Sequence, residues 1–364
     1  MTSTMTLSST EIAQQSPKPS CKKRPQLSLQ VNFLNIQKVV DKEDQEQEEQ
    51  AISKSAHKIK SIDTFSFKEI QSAEHLKNLY DNYHHFKTYY DTSMRRCNRP
   101  QMEDRYCALL QQKQNQFKES FFGVFDGHKN YEISNFLKNN LYQSIQTQNC
   151  YEQNIKESII QASLNLDKEI QEMIKVRNLK GGSTALCALI RNKTINLLNV
   201  GDSIAALISY DGIRQINEQH RPSNPKEQEI LIKKGAVLLE RSGVSRINGE
   251  LAISRSFGDN EFKEFITSMP DVYSFDISNS DQYLLLATDG FWDVINLEEV
   301  NYFIKQWEEE QKDRENIDSL SSYLINQACT KITNFKKDNM TVLVVDLQYL
   351  KSDQPLLLSR YSLE

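Results

Sequence analysis

Short apolar runs separated by turn residues dominate the chain from about Tyr89 onward. Ala185-Leu186-Cys187-Ala188-Leu189-Ile190 and Thr194-Ile195-Asn196-Leu197-Leu198-Asn199-Val200 flank Arg191-Asn192-Lys193, a spacing that predicts a hairpin. Gly201-Asp202-Ser203 then turns the chain into Ile204-Ala205-Ala206-Leu207-Ile208, and Tyr210-Asp211-Gly212-Ile213 reverses it again. Consecutive hairpins mean antiparallel sheet. Phe121-Phe122-Gly123-Val124-Phe125, Tyr283-Leu284-Leu285-Leu286 and Thr341-Val342-Leu343-Val344-Val345 read as further strands. Helical periodicity marks Tyr131 to Gln146, Leu297 to Gln311, Ile317 to Ile332, and Glu152 to Arg177, where Ile155, Ile159, Ala162, Leu166 and Ile170 share a face. Strands in runs and helices in blocks, without regular βαβ alternation, predict a layered α+β fold rather than a Rossmann fold or a barrel.

The first 60 residues lack such a pattern. They are rich in Ser, Thr, Gln, Lys and Glu and include the run Asp41-Lys42-Glu43-Asp44-Gln45-Glu46. So polar a segment buries too little apolar surface to offset its ordering entropy, and a disordered tail is expected over 1–60. Phe67, Ile70, Ala73, Leu76, Leu79, Tyr80 and Tyr83 recur at helical spacing and predict a leading helix over 61–85. One folded domain is expected over 86–349, with a C-terminal tail over 350–364. The chain's 364 residues suffice for a sizeable core, and its formal net charge of -5 gives no reason to expect a nucleic-acid partner. No run approaches the ~18 apolar residues of a membrane span, and six scattered cysteines show no zinc spacing. A cytoplasmic monomer is expected. Lys22-Lys23-Arg24-Pro25 is a candidate nuclear signal.

The chemistry sits where strands begin or end. Asp126-Gly127-His128 follows the Phe121–Phe125 run, Asp289-Gly290 follows Leu284–Ala287, Asp338-Asn339 precedes Thr341–Val345, and Glu103-Asp104 lies upstream of all three. One Asp-Gly is ordinarily a turn, but four acidic sites at strand ends converge at one sheet edge if the strands are neighbours. Adjacent residues on a strand point to opposite faces, so one of Glu103 and Asp104 ligates directly and the other holds water. An all-oxygen set selects Mg²⁺ or Mn²⁺ over zinc. Two such ions activate water for in-line attack on phosphorus. His128 would protonate the leaving alkoxide, and Arg99 would grip phosphate oxygens. His220, in Gln219-His220-Arg221-Pro222, stays open between loop structure and function. Gly181-Gly182-Ser183-Thr184 lacks the lysine of a phosphate loop, and tight strand packing is the expected reason for it.

Seven motifs in order resemble the PP2C-type (PPM) metal-dependent protein serine/threonine phosphatases: Arg99-Pro100-Gln101-Met102-Glu103-Asp104, Val124-Phe125-Asp126-Gly127-His128, Gly182-Ser183-Thr184-Ala185, Asn199-Val200-Gly201-Asp202-Ser203, the stretch Arg246 to Asp259, Ala287-Thr288-Asp289-Gly290-Phe291-Trp292-Asp293, and Asp338-Asn339-Met340-Thr341. The resemblance covers about Tyr89 to Leu347. It implies a four-layer α-β-β-α sandwich with two Mg²⁺ or Mn²⁺ ions at one end. Asp126 would bridge both ions, Gly127 and Glu103 would bind one, and Asp289 and Asp338 the other. Asp104 would orient water, Arg99 would bind phosphate and His128 would act as acid, with a metal-bridging hydroxide as nucleophile. A flap over about 219–258 would help select phosphorylated protein substrates. The chain departs from the family pattern at Gln219, where an Asp helps hold a third ion together with the counterparts of Asp289 and Asp293. It departs again at Ile204 and at Lys129-Asn130. The alternative to an active phosphatase is a pseudophosphatase that uses the fold as a binding module. A hydrolase of small phosphoesters or nucleic acid shares the chemistry, but the acidic charge balance disfavours polyanionic substrates.

Overall fold

The structure, a computed structural model, describes residues 90–113, 116–310, 319–332 and 338–348. The expected tail over 1–60, the leading helix over 61–85 and the C-terminal tail over 350–364 lie outside the described residues.

Two five-stranded antiparallel sheets form the middle layers. One has the order β1 (Tyr90–Arg95), β15 (Met340–Asp346), β14 (Asp281–Ala287), β8 (Ile204–Ser209), β9 (Gly212–Gln215). The other runs β13 (Asp271–Asp276), β7 (Thr194–Val200), β6 (Ala185–Arg191), β3 (Gln116–Phe125), β2 (Arg105–Lys113). Their strands read as continuous apolar runs because both faces are covered. In β3, Phe121 and Phe125 pack under helices α1 (Glu132–Gln146) and α2 (Ile155–Arg177), while Phe122 and Val124 face the other sheet. In β14, Leu284 and Leu286 join Phe122 between the sheets. Leu285 and Ala287 turn toward α5 (Leu297–Glu310) and α6 (Leu320–Thr330). Three apolar interfaces separate four layers, so the expected α-β-β-α sandwich is the observed one.

Smaller elements complete the site end. The two-residue strands β4 (Gly127–His128), β5 (Gly182–Ser183) and β12 (Phe257–Gly258) form a three-stranded sheet of order β12-β5-β4. Helix α3 (Pro225–Lys233), the hairpin of β10 (Leu238–Arg241) and β11 (Val244–Ile247), and the segment to Ile266 close over their own cluster of Leu231, Ile247, Ile253 and Phe262. Helix α4 (Asp289–Trp292) is one turn at the end of β14.

Candidate active site

Strand register determines which acidic residues meet. Arg105 pairs with Phe125, so Glu103, Asp104 and Asp126 share one end of their sheet. Ala287 pairs with Val342 and with Ile204, which brings Asp289, Asp338 and Asp202 to one end of the other. Asp104 ties the two ends together. Its Oδ2 accepts from Thr288 Oγ1 at 2.9 Å and from Thr341 Oγ1 at 2.7 Å, both from the opposite sheet. Asn339 is a second clasp, with Oδ1 accepting from the Glu103 N–H at 2.7 Å and Nδ2 donating to the Arg96 and Gln101 carbonyls. Gly290 permits the approach of the Asp289 and Asp338 loops, since a Cβ there would lie 2.0 Å from the Asn339 carbonyl oxygen. Gly127 is confined too, since a Cβ there would lie 2.6 Å from the Glu103 carbonyl oxygen.

The electrostatics follow from crowding. Burial and the charges of Asp104, Asp289 and Asp338 push the Asp126 carboxyl well above the ordinary range, and Asp289 rises likewise through burial and the charges of Asp202, Asp293 and Asp338. Asp104 is pushed up to about 7, mainly by burial, against the two threonine hydrogen bonds. Burial also raises Glu103, with Arg99 and His128 opposing. Among the described residues no three Asp, Glu, His or Cys side chains already stand in metal-ligating geometry. The donor set nevertheless fits hard divalent cations. It is all oxygen, its negative charges repel one another, and the buried Asp104 Oδ1 has no hydrogen-bond partner.

Two arginines enter this field. Arg99 pairs with Asp338, and both side chains are well exposed. Arg221 reaches Asp202 Oδ2 at 3.0 Å, Asp293 Oδ1 at 3.4 Å and Asp289 Oδ2 at 3.7 Å. Asp202, Asp289 and Asp293 thus share one arginine. Gln219, where the family pattern has an acid, donates from Nε2 to the Asp202 carbonyl at 2.7 Å. His128 meets the buried Asp259. His220, left open above, is structural: its Nδ1 accepts from the Gly201 N–H at 3.0 Å, and its Nε2 lies 3.1 Å from Asp271 Oδ2.

The protein phosphatase 2C family model matches residues 89–333. This chain belongs to the protein phosphatase 2C family. It is 34% identical over 233 residues to a probable protein phosphatase 2C of Arabidopsis thaliana, covering 63% of this chain and 65% of that protein. With human protein phosphatase 1B it shares 28% identity over 271 residues, covering 68% of this chain and 54% of the relative. The chain thus spans less than two thirds of the length of either. A serine-threonine phosphatase 2C from Toxoplasma gondii has the same fold, with a TM-score of 0.63 at 19% identity over 71% of this chain and 96% of that one. Family metal dependence agrees with the donor set.

The departures from the PP2C pattern have local uses. Asn130 donates from Nδ2 to the Lys180 carbonyl and accepts from the Glu132 N–H at 2.8 Å, starting α1. Lys129 takes a positive φ of 66°. Ile204 is buried, and its carbonyl accepts from Trp292 Nε1 at 3.2 Å. Sequence reasoning assigned no role to Asp202, Arg221, Asp259 or Asn339. Asp202 was legible as a strand-end acid like the others, and Asn339 as the neighbour of Asp338. Arg221 and Asp259 meet their partners only through register.

Proposed function

We propose that the chain is an active metal-dependent phosphatase of phosphoserine and phosphothreonine in proteins. The observation that carries this reading is the convergence of Glu103, Asp126, Asp289 and Asp338 at one end of the sandwich, beside Arg99 and His128. Two Mg²⁺ or Mn²⁺ ions, when bound, neutralise this cluster and supply the Lewis acidity that makes water a nucleophile at neutral pH. Asp126 would serve both ions, Glu103 and the Gly127 carbonyl one, and Asp289 and Asp338 the other. Asp104, anchored by Thr288 and Thr341, keeps Oδ1 for water at the site. Arg99 binds the phosphoryl group. Its pair with Asp338 is exposed and worth ~1 kcal/mol or less, so it yields readily once Asp338 takes a cation. His128 protonates the departing serine or threonine oxygen.

The deciding experiment compares turnover of a phosphothreonine peptide and of para-nitrophenyl phosphate, with and without Mn²⁺. Peptide hydrolysis that depends on Mn²⁺ is expected. No metal-dependent turnover of either substrate would make the chain a binding module, and turnover of the aryl ester alone would point to small phosphoesters.

A further inference from the structure

The environment of His128 is set by the sheet of three two-residue strands, β12-β5-β4. In that sheet His128 lies opposite Gly182, and Gly182 lies opposite Gly258. A single glycine therefore separates the histidine from the strand that leads into Asp259. The Asp259 carboxylate extends over that glycine and meets His128 Nε2 with both oxygens, each at 2.8 Å. A Cβ on Gly182 would stand 2.3 Å from Asp259 Oδ2 and 2.4 Å from the Phe257 carbonyl oxygen, so only glycine leaves the crossing open.

Asp259 is built into place. It is 2% exposed and adopts a left-handed φ of 48°, a costly conformation for a residue with a Cβ. Its N–H donates to the Gly181 carbonyl at 2.8 Å, and its Oδ2 accepts from Ser256 Oγ at 2.6 Å. Helix α2 props the same turn: Asp167 Oδ1 accepts from the Gly258 N–H at 2.8 Å, and Asp167 Oδ2 pairs with Lys263 Nζ at 2.8 Å. Burial disfavours the ionised form, yet His128, Ser256 and Lys263 together hold the Asp259 carboxyl below its ordinary range. An ionised carboxylate only accepts hydrogen bonds, so the imidazole must present a hydrogen on Nε2.

We propose that Asp259 is the positioning residue for His128, fixing the ring with Nε2–H toward the protein and leaving Nδ1 as the nitrogen that serves the substrate. This role rests on the phosphatase reading above. As the water oxygen gives up one proton to solvent and forms its bond to phosphorus, the bond from phosphorus to the threonine oxygen breaks and its electron pair stays on that oxygen. The oxygen takes the proton from Nδ1, and His128 is left neutral with Nε2–H still on Asp259. The products are the alcohol and hydrogen phosphate, and a solvent proton returns to Nδ1 for the next turnover.

The test uses Asp259→Asn, which keeps the shape but exchanges an acceptor-only carboxylate for an amide that can also donate, with Gly182→Ala as a second variant that obstructs the crossing. With Mn²⁺ present, Asp259→Asn should lower kcat for a phosphothreonine peptide about tenfold or more, while para-nitrophenyl phosphate, whose leaving group needs no proton, changes by less than about twofold. The double variant His128→Ala with Asp259→Asn should be no slower on the peptide than His128→Ala alone. Nitrogen NMR of the unaltered metal-free chain should show His128 protonated on Nε2, a preference that Asp259→Asn removes. Equal losses on both substrates, additive losses in the double variant, or a neutral ring carrying its hydrogen on Nδ1 instead of Nε2 in the unaltered chain would overturn the role while the phosphatase reading stands. An unaltered chain without Mn²⁺-dependent turnover would overturn both. The NMR experiment still decides the pairing if Gly182→Ala does not fold.

Discussion

Single residues at the site work by proximity, and two substitutions isolate that. Asp126→Asn or Asp289→Asn keeps the volume but removes charge from the centre of the cluster. Each should abolish metal-dependent peptide turnover, a loss larger than the ~10–100-fold typical of a merely supporting contact. Kinetics across an Mn²⁺ series check this, and full activity of either variant in metal-free buffer would refute a metal site built on these carboxylates. Gly290→Ala attacks backbone approach instead. Its methyl would meet the Asn339 carbonyl, so a loss of ~1–3 kcal/mol in unfolding free energy is expected, together with weaker Mn²⁺ binding. Denaturant unfolding and calorimetric titration read the two effects separately. The acidic members of the site were legible residue by residue because each stands near the start or end of a strand. Asp259 was not, since the bond that gives it meaning crosses an intervening strand, and nothing within a few positions of it in sequence points to His128.

Elements were legible in proportion to their length. Strands such as β6, β7 and β14 declare themselves through apolar runs, and α2 through its stripe of Ile155, Ile159, Ala162, Leu166 and Ile170. β4, β5 and β12 have two residues each, too few to carry a period, yet they organise the surroundings of His128. Helix α3 was missed for another reason. Its outer face keeps Ile230 and Ile232 exposed, which blurs amphipathicity, although Asn224 before Pro225 is a helix-start signal and Asn224 Oδ1 indeed accepts from the Lys226 N–H. Because β3 is covered on both faces, its side chains should be sensitive in either direction. Phe122→Ala, between the sheets, is expected to cost about 3–5 kcal/mol, and Phe121→Ala, under the helices, a similar amount. Denaturant midpoints would check both. A much smaller loss at Phe122 would mean that the two sheets pack loosely.

For the whole molecule, the cluster of like charges links metal, protons and stability. Burial and neighbouring charges raise the carboxyls of Asp126 and Asp289, and Asp104 to about 7. A group raised in the folded state contributes stability that is full below its unfolded pKa and is lost as pH rises through the folded value. The metal-free protein should therefore lose stability from the ordinary carboxylate range up through about 7, where the repelling carboxylates ionise. Mn²⁺ binds the ionised form, so its stabilisation should grow over the same interval. At 100 times Kd the gain is about 2.7 kcal/mol. Thermal scans with and without Mn²⁺ should show a larger upward shift at about pH 7.5 than at about pH 5.5. A shift independent of pH would remove these carboxyls from the binding site.

The position of β15 in its sheet has a consequence for synthesis. This strand lies between β1 and β14, so the last described strand of the chain is an interior one, and Asp338 and Asn339 stand just before it. A nascent chain emerging from the ribosome can pair the sheet of β2, β3, β6, β7 and β13 early, whereas Tyr90 to Arg95 must wait about 250 residues for a partner that also delivers Asp338. The acidic cluster is thus completed late in translation. A chain that stalls before residue 338 carries an open sheet edge and an incomplete set of carboxylates, so the same interruption that leaves it prone to aggregation also leaves the proposed metal site unfinished.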